Sequence, residues 1–395
     1  MVVPLSSPRV SDVTQRAQSI LQHLIGFPTV SADSNLAMIT WLAGHLEHQG
    51  ARVFLDHDET GTKANLFASL GPDARGGILL SGHSDVVPVA DQDWATDPFV
   101  LHEGEGRLYG RGTCDMKGFI AATLAIAETV DAAKLTRPLH FAFTYDEETG
   151  CLGARSLVGV MRDLGLVPDI TIIGEPTEMR VIEGHKGCCE YTAHFSGVEG
   201  HGSAPDLGVN AAEYAVRYVT RLMELRQDLI ARAPADSKFE PPWTTINIGR
   251  ISGGVAHNVI AGKAEVDWEM RPVQSGDADF VKSTMARYCA DTLLPAMQAV
   301  SPDASITLTT VGEIAGLEPM PMNAARELVS ELTGANGADL VAFGTEAGLF
   351  QALGSHVVVC GPGSIQQAHK PDEYLEIDQL DACITMLSRL VRYIS

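Results

Sequence analysis

The spacing of apolar residues near the start of the chain predicts two amphipathic helices. Apolar side chains recur at intervals of three and four from Val13 to Leu24, and Ser11 stands before them as a candidate N-cap. A second pattern of the same kind extends from Leu36 to Gly50. The first fifty residues are therefore expected to be largely helical.

Short β-rich runs then alternate with helical patterns. The strand patterns cover residues 52–56, 65–70, 77–81, 139–145 and 169–173, and the helical patterns cover 117–133 and 151–164. Strands interleaved with helices are typical of a three-layer α/β domain, in which functional residues cluster beyond the strand ends.

From about residue 186 the order of elements changes. Strand patterns at 189–196, 244–251, 262–271 and 305–311 are separated by helical patterns at 210–231 and 278–299. The order β-α-β-β-α-β is that of a ferredoxin-like domain. The α/β pattern returns with a helix near 324–332, a strand at 356–360 and a helix at 380–393. The sequence thus predicts a discontinuous α/β domain, residues 1–185 and 312–395, interrupted by an inserted domain, residues 186–311.

The composition fits a globular protein and excludes some partners. The chain has 395 residues, of which 45% are hydrophobic, and it is long enough for two cores. Its formal net charge of -22 argues against nucleic acid, which needs a basic surface. We find no run near the ~20 apolar residues of a membrane span and no signal-peptide pattern, so a cytoplasmic location is expected. The seven cysteines are expected to be reduced thiols.

Candidate metal ligands recur along the chain and share nitrogen or oxygen donors: His83, Asp115, the adjacent pair Glu147 and Glu148, Glu175, and His369. A donor set without thiolate suits zinc or a related divalent ion that promotes hydrolysis. Even if only one of the adjacent pair binds metal, the ligands are too many for one catalytic zinc but enough for two if one carboxylate bridges. The pattern indicates a dinuclear metallohydrolase.

The neighbours of these ligands suggest further roles, each with a plainer alternative. Asp85, two residues after His83, could fix the histidine ring by accepting its second N–H. Asp115 could instead cap the helix that follows it. Adjacent side chains at a strand end usually point apart, so if Glu148 binds metal, Glu147 can face the water as a general base. The alternative for this pair is a solvated acidic turn.

Eight segments occur in a fixed order from Ser81 to Tyr374: SGHSDVVPV, GRGTCDMKG, YDEETGCLGA, IGEPT, GHGSAPDLGVNA, HNVIAGKAEVDWEMRP, FGTEAGLF and GPGSIQQAHKPDEY. Together they resemble the M20-type metallopeptidases and deacylases, and within that family the acetylornithine deacetylases. The resemblance implies a three-layer α/β catalytic domain that binds two metal ions. It also implies that the inserted ferredoxin-like domain serves as a lid or dimerisation domain.

The resemblance divides the ligands into two sets. His83, Asp115 and Glu175 would hold one ion, and Asp115, Glu148 and His369 would hold the other. Asp115 is therefore expected to bridge the two ions. Zinc is the expected metal, with cobalt as the alternative.

The same resemblance makes Glu147 the general base. Relatives carry a cis peptide bond after the bridging aspartate, so the bond between Asp115 and Met116 is expected to be cis. Cys114, beside this bond, is not expected to bind metal.

The inserted domain and one late loop supply candidates for substrate binding. By resemblance, His201 stabilises the oxyanion, and in dimeric relatives this histidine comes from the neighbouring subunit. Asn258 and Arg271 match positions that contact the substrate carbonyl or carboxylate, and an arginine suits a bidentate pair with a carboxylate. Gly344 would allow close approach of a ligand. Glu346 would either pair with the ammonium group of ornithine or only support its loop.

The expected function is hydrolysis of the amide bond of an N-acyl-L-amino acid, a small-molecule substrate. N-acetyl-L-ornithine, cleaved to L-ornithine and acetate in arginine biosynthesis, is the first choice. The alternatives are desuccinylation of a diaminopimelate derivative, a broader deacylase and a dipeptidase. A non-catalytic metal-binding protein is disfavoured because it would not need an unliganded base beside the metals.

Overall fold

Residues 9–395 are described by a computed structural model, and they divide into two units. The first unit comprises the described residues through Gly184 together with Pro319–Asp339 and Thr345–Ser395. The second comprises His185–Glu318 and Leu340–Gly344. The first eight residues, which belong to the segment considered for a signal peptide, lie outside the described residues.

The helices are α1 (Val10–Ile25), α2 (Leu36–His48), α3 (Gly118–Ala127), α4 (Leu152–Leu164), α5 (Ala211–Ala231), α6 (Asp277–Tyr288), α7 (Leu294–Gln298), α8 (Ala324–Thr333), α9 (Ala347–Leu353) and α10 (Ile377–Ile394). The strands are β1 (Arg52–His57), β2 (Ala64–Leu70), β3 (Ile78–His83), β4 (His102–Gly104), β5 (Arg107–Tyr109), β6 (Leu139–Thr144), β7 (Ile170–Pro176), β8 (Ile182–His185), β9 (Cys188–Ser196), β10 (Gly200–His201), β11 (Thr245–Gly253), β12 (Val259–Ile260), β13 (Lys263–Arg271), β14 (Ser305–Ile314), β15 (Asp339–Val341), β16 (His356–Gly361) and β17 (Tyr374–Glu376).

A mixed sheet of order β1-β2-β6-β3-β7-β16-β8-β15 forms the centre of the α/β fold. Its middle strands β6, β3, β7 and β16 run parallel to one another. Strand β2 is antiparallel to its neighbour β6, and β1 is antiparallel to β2. Every residue of β3, β6 and β7 is buried, as expected for parallel strands covered on both faces. The carboxyl ends of these strands therefore lie along one edge of the sheet. The predicted α/β class is confirmed.

Helix α3 forms the apolar centre of the helical layer in the first unit. All of its residues are buried, and it contacts both α1 and α10. Its first turn also meets the sheet closely: a Cβ atom on Gly174 in β7 would lie 2.0 Å from Cγ of Phe119. Glycine at this position therefore allows the helix to lie directly over the strand that carries Glu175.

The second unit contains a four-stranded antiparallel sheet of order β11-β13-β9-β14. Along the chain the elements follow as β9, α5, β11, β13, α6 and β14, which is the predicted β-α-β-β-α-β order of a ferredoxin-like domain. One face of this sheet carries a core with aromatic pairs, including Tyr191 and Trp268 at a ring-centroid distance of 4.7 Å.

Some boundaries differ from the sequence predictions for identifiable reasons. Helix α1 begins at Val10 after Arg9, so Ser11 lies inside the first turn and does not cap it. The helix predicted at 278–299 is divided by a π-helical turn, because Pro295 lacks the N–H that a continuous helix needs. In the described part of the chain, no helix is long and apolar enough to span a bilayer.

Candidate metal centre

The candidate ligands meet at the carboxyl edge of the parallel strands. His83 is the last residue of β3, and Glu175 stands one position before the end of β7. Glu147 and Glu148 follow β6, which ends at Thr144. Because β3 pairs in parallel with both β6 and β7, the three strand ends are neighbours.

His83 is oriented from both sides of its ring. Nδ1 lies 2.9 Å from the backbone carbonyl of Asp85, whereas the carboxylate Oδ1 of Asp85 is 3.6 Å away. The carbonyl, and not the predicted carboxylate, therefore takes the ring N–H. Nε2 faces Oδ1 of Asp115 at 2.9 Å and Oε1 of Glu175 at 3.9 Å. Burial alone would lower the pKa of His83, but the surrounding carboxylates raise that pKa well above its ordinary value.

Asp115 lies in a tight turn, Thr113–Lys117, with non-helical backbone angles. The peptide bond between Asp115 and Met116 is cis, as predicted. Helix α3 begins at Gly118 without a side-chain cap, which excludes the capping role considered for Asp115. Cys114 in the same turn donates its thiol hydrogen to the carbonyl of Ser364 at 3.3 Å.

The two oxygens of Asp115 face two different histidines. Oδ1 lies 2.9 Å from Nε2 of His83, and Oδ2 lies 3.5 Å from Nε2 of His369. Nε2 of His369 is also 3.1 Å from Oε2 of Glu148. Asp115 and Glu148 raise the pKa of His369 to about 10. The carboxylate of Asp115 thus stands between two clusters of donors.

The acidic segment 146–148 is held by hydrogen bonds and is not a solvated turn. The carboxylate of Asp85 accepts the backbone N–H of Glu147 at 3.1 Å and that of Glu148 at 3.3 Å. Nζ of Lys63 contacts both carboxylate oxygens of Asp146 at 2.6 Å. The carboxylate of Asp85 therefore fixes the backbone that carries both glutamates.

Glu147 is buried, and its Oε1 accepts a weak hydrogen bond from Sγ of Cys151 at 3.4 Å. Burial raises the pKa of Glu147 well above its ordinary value, His83 opposes the rise, and Glu148 adds to it. Its carboxylate also lies within reach of His83 and Glu175 as a possible ligand group. Glu147 is thus grouped with Glu175, and Glu148 with Asp115, while His83 is common to both groups.

The donor geometry fits metal binding. Among the described candidate ligands, two groups bring one donor atom from each member within 4.8 Å of the others: His83, Glu147 and Glu175, and His83, Asp115 and Glu148. Oε1 of Glu175 is buried and accepts no hydrogen bond from any residue in the range 9–395. Buried carboxylates are costly unless a cation or hydrogen-bond donors compensate them. The buried acidic cluster, with nitrogen and oxygen donors only, suits divalent ions.

In the second unit, His201 and Asn258 lie beside each other and are exposed. Strand β10 pairs with β12, which places His201 opposite Val259, and the N–H of Gly202 donates to the carbonyl of Asn258 at 2.7 Å. The backbone N–H of Ser203 donates to Nδ1 of His201 at 3.2 Å. Because Nδ1 is then an acceptor, Nε2 carries the proton and can act as a donor.

Arg271 belongs to the four-stranded sheet, outside the two-stranded sheet of β10 and β12. It ends β13, whereas the pair formed by His201 and Asn258 lies beyond the start of β13 at Lys263. Eight strand steps of 3.3–3.4 Å separate the ends of β13 by about 27 Å. A single small substrate cannot reach both ends of this strand in one copy of the chain.

Arg271 and Gly344 both belong to the second unit. The guanidinium of Arg271 pairs with Glu269, with Nη2 to Oε2 at 2.8 Å, and it lines a cavity of about 470 Å³ together with Lys186. A Cβ atom on Gly344 would only touch Ile314 at 3.4 Å. The surrounding protein therefore tolerates a side chain at Gly344.

Glu346 is completely buried in the first unit and already has hydrogen-bond partners. Its Oε1 accepts from the hydroxyl of Ser81 at 2.5 Å, and its Oε2 accepts from the hydroxyl of Thr144 at 2.8 Å. These residues lie at the carboxyl-terminal ends of β3 and β6. The contacts favour the supporting role considered for Glu346 over direct recognition of an ammonium group.

Two buried residues of the site were not identified from the sequence. Arg111 and Glu373 are each 1% exposed and form an ion pair, with Nη1 to Oε2 at 2.7 Å. Both lie inside motifs that also carry candidate ligands, GRGTCD and HKPDEY. In the sequence, Arg111 is marked only by the glycines on both sides of it, and Glu373 only by the short strand that follows it.

Comparison with known proteins gives a family match over most of the chain. The model of peptidase family M20/M25/M40 matches residues 79–393. The acetylornithine deacetylase of Salmonella typhimurium is 37% identical over 381 residues, which are 95% of this chain and 96% of that protein.

Solved structures of the same fold are more distant in sequence. A family M20 metallo-carboxypeptidase from Sulfolobus solfataricus has a TM-score of 0.72 at 18% identity, over 95% of this chain and 98% of that one. The aminopeptidase PepT from Bacillus cereus has a TM-score of 0.70 at 17% identity, over 96% and 98% of the two chains. These structures support the fold.

Proposed function

This chain belongs to peptidase family M20/M25/M40 and is a hydrolase that acts on amides, and from that premise we propose that its substrate is N-acetyl-L-ornithine. The products would be L-ornithine and acetate, formed in arginine biosynthesis. The 37% identity to the Salmonella deacetylase, over nearly the full length of both chains, supports this choice. A cytoplasmic location is part of the same proposal.

The observation that carries the proposal is the position of Asp115 between two histidines. One oxygen faces His83 and the other faces His369. A bridging carboxylate in a dinuclear centre needs this arrangement, because each oxygen must serve a different ion.

We assign His83, Asp115 and Glu175 to one ion, and Asp115, Glu148 and His369 to the other. The unpartnered Oε1 of Glu175 and the contact between Glu148 and His369 support this assignment. When bound, a pair of divalent ions, zinc in this proposal, supplies polarisation of the amide carbonyl and acidification of a water molecule.

Glu147 would move the proton. Its buried carboxylate would take a proton from the attacking water and pass it to the nitrogen of the leaving amine. Burial raises the pKa of Glu147, and a pKa above the ordinary carboxyl value suits a group that both takes up a proton and returns it. Asp85 assists by fixing the backbone of Glu147 and by orienting the ring of His83 through its carbonyl.

The second unit would bind the rest of the substrate. Arg271 would pair with the α-carboxylate, and Gly344 would allow the substrate to approach the backbone. His201 and Asn258 would stabilise the oxyanion, with Nε2 of His201 as the donor. Because β12, the partner of the strand that carries His201, precedes the start of β13, and Arg271 stands about 27 Å along β13 at its other end, we propose a homodimer in which a second copy supplies His201 and Asn258.

The test is a panel of substrates given to the full chain loaded with zinc or with cobalt. N-acetylornithine should have a higher kcat/KM than N-acetylmethionine, N-succinyl-diaminopimelate and a dipeptide. The Glu147→Gln variant serves as the control for contaminating hydrolases. A higher kcat/KM for another member of the panel would reassign the substrate. Equal values for both acetyl compounds would indicate a broader deacylase, and failure on all four would refute the proposal.

A further inference from the structure

In the loop that carries Asp115, three backbone N–H groups donate hydrogen bonds to one buried side chain, that of Glu373. The carboxylate of Glu373 accepts the N–H of Cys114 at 2.9 Å and that of Asp115 at 3.0 Å through Oε1. Its Oε2 accepts the N–H of Gly112 at 3.0 Å. Gly112 has a φ of 84°, which allows the chain to curl around the carboxylate. One side chain thus fixes the backbone on the N-terminal side of the candidate bridging aspartate.

Glu373 is itself held by a buried cation. Nη1 of Arg111 donates to Oε2 of Glu373 at 2.7 Å, and both residues are 1% exposed. Replacing a buried ion pair by apolar residues is often neutral or stabilising, so such a pair is weak support for a role in stability alone. A role in geometry is the better explanation where the pair also holds functional backbone.

The same arginine reaches the loop that carries His369. Nη1 of Arg111 also donates to the carbonyl of Lys370 at 3.3 Å, and Nη2 donates to Oε1 of Gln92 at 2.7 Å. Nε2 of Gln92 in turn donates to the carbonyl of His369 at 2.9 Å. His369 has a φ of 63° and a half-exposed side chain, so the backbone bonds of its loop fix a conformation that most residues avoid.

From these contacts we propose that Glu373, Arg111 and Gln92 are positioning residues that set the separation of Asp115 and His369. Glu373 acts on the bridging aspartate and therefore on both proposed metal positions. Gln92 bonds directly to the backbone of the His369 loop and reaches the Asp115 loop only through Arg111, so it acts mainly on one position. This inference rests on the proposed pair of metal positions, and residues that orient metal ligands typically change metal affinity about 10- to 100-fold when replaced.

The experiment measures zinc binding to the full chain after its metal has been removed, by competition with a chromophoric chelator. Glu373→Gln keeps the size of the side chain but replaces one acceptor oxygen by a donor, opposite N–H groups that also donate. Both zinc equivalents should bind about 10- to 100-fold more weakly. Gln92→Met removes the side-chain hydrogen bonds of Gln92 with Arg111, Trp94 and the carbonyl of His369, and it should weaken chiefly the equivalent that His369 would bind.

Glu183→Gln provides the matched control. Glu183 is 2% exposed and pairs with Arg326 at 2.6 Å in the same unit, but it belongs to neither metal loop. This variant should bind two zinc equivalents as the unchanged protein does, even if its thermal stability falls. An equal loss of affinity in the control would mean that general destabilisation explains the effect, and the inference would be wrong.

The remaining outcomes are also decisive. Wild-type zinc affinity in folded Glu373→Gln overturns the inference and leaves the proposed function intact. If Glu373→Gln does not fold, Gln92→Met decides: loss of one equivalent supports the inference, and two equivalents of unchanged affinity overturn it. An unchanged protein that binds two zinc ions but does not hydrolyse N-acetylornithine refutes the proposed substrate only. An unchanged protein that binds no zinc refutes both.

Discussion

Replacement of Glu147 by glutamine should separate proton transfer from metal binding. The structure predicts little disturbance of the surrounding loop, because Asp85 holds the backbone N–H of both Glu147 and Glu148 whatever their side chains. The amide oxygen of glutamine can also keep the hydrogen bond from Sγ of Cys151. Glu147→Gln therefore removes the transferable proton and changes little else.

The expected loss follows from the role of the residue. A general base contributes about 10²- to 10⁴-fold to the rate, which corresponds to about 2.7–5.4 kcal/mol of the activation free energy. The zinc content should remain at two equivalents. Glu148→Gln is the paired variant: its side chain contacts Nε2 of His369 at 3.1 Å, so its replacement should lower zinc affinity at that position.

The assay combines the steady-state rate of N-acetylornithine hydrolysis with zinc content by atomic emission after dialysis. The structure makes the opposite assignment a real competitor, because the carboxylate of Glu147 also lies within reach of His83 and Glu175. If Glu147→Gln loses zinc while Glu148→Gln keeps two equivalents, the two roles must be exchanged. If both variants keep their zinc and near-normal rates, neither residue has the proposed role.

Three further outcomes are expected. Glu346→Gln should lower kcat/KM equally for N-acetylornithine and N-acetylmethionine, because Glu346 is occupied by two hydroxyl groups; a selective loss on ornithine would contradict this. His201→Ala should be inactive, yet mixing it with Glu147→Gln under subunit exchange should restore activity through hybrid dimers, and no recovery would argue against a shared site. Burial lowers the pKa of His185 to about 4, so between about pH 6.5 and 4 only the unfolded chain binds this proton. The free energy of unfolding should fall by up to about 3 kcal/mol as the pH falls through that range, and urea denaturation of His185→Gln should lack this contribution.

The sequence predicted the long elements well because each has a strong period or a continuous apolar run. The central strands β3, β6 and β7 appeared as apolar segments, and the helices α5 and α8 as amphipathic ones. The three-residue strands β4, β5, β15 and β17 were missed, since so short a segment carries no measurable alternation. Yet β17 directly follows Glu373 and so fixes the end of that loop.

The candidate ligands could be identified from the sequence, whereas their supporting contacts could not. Histidines and carboxylates after apolar runs indicated metal, but the pairing of Arg111 with Glu373 joins positions 262 residues apart and leaves no local pattern. The choice between carbonyl and carboxylate of Asp85 depended on distances that only coordinates provide. The length of the strand pattern that ends at Arg271 did indicate that the two ends of that strand lie far apart, because a strand has a fixed rise per residue.

The position of β16 has a consequence for the order in which the protein is made. This strand lies between β7 and β8 in the sheet, although nearly all of the second unit separates it from them along the chain. A ribosome therefore releases the whole of His185–Glu318 while the edge of β7 still lacks its neighbour. His369 and Glu373 emerge later still, so the two carboxylates that face His369, those of Asp115 and Glu148, are synthesised long before it. The inserted unit can fold as an almost continuous segment, but the sheet that carries the metal site can close only near the end of translation.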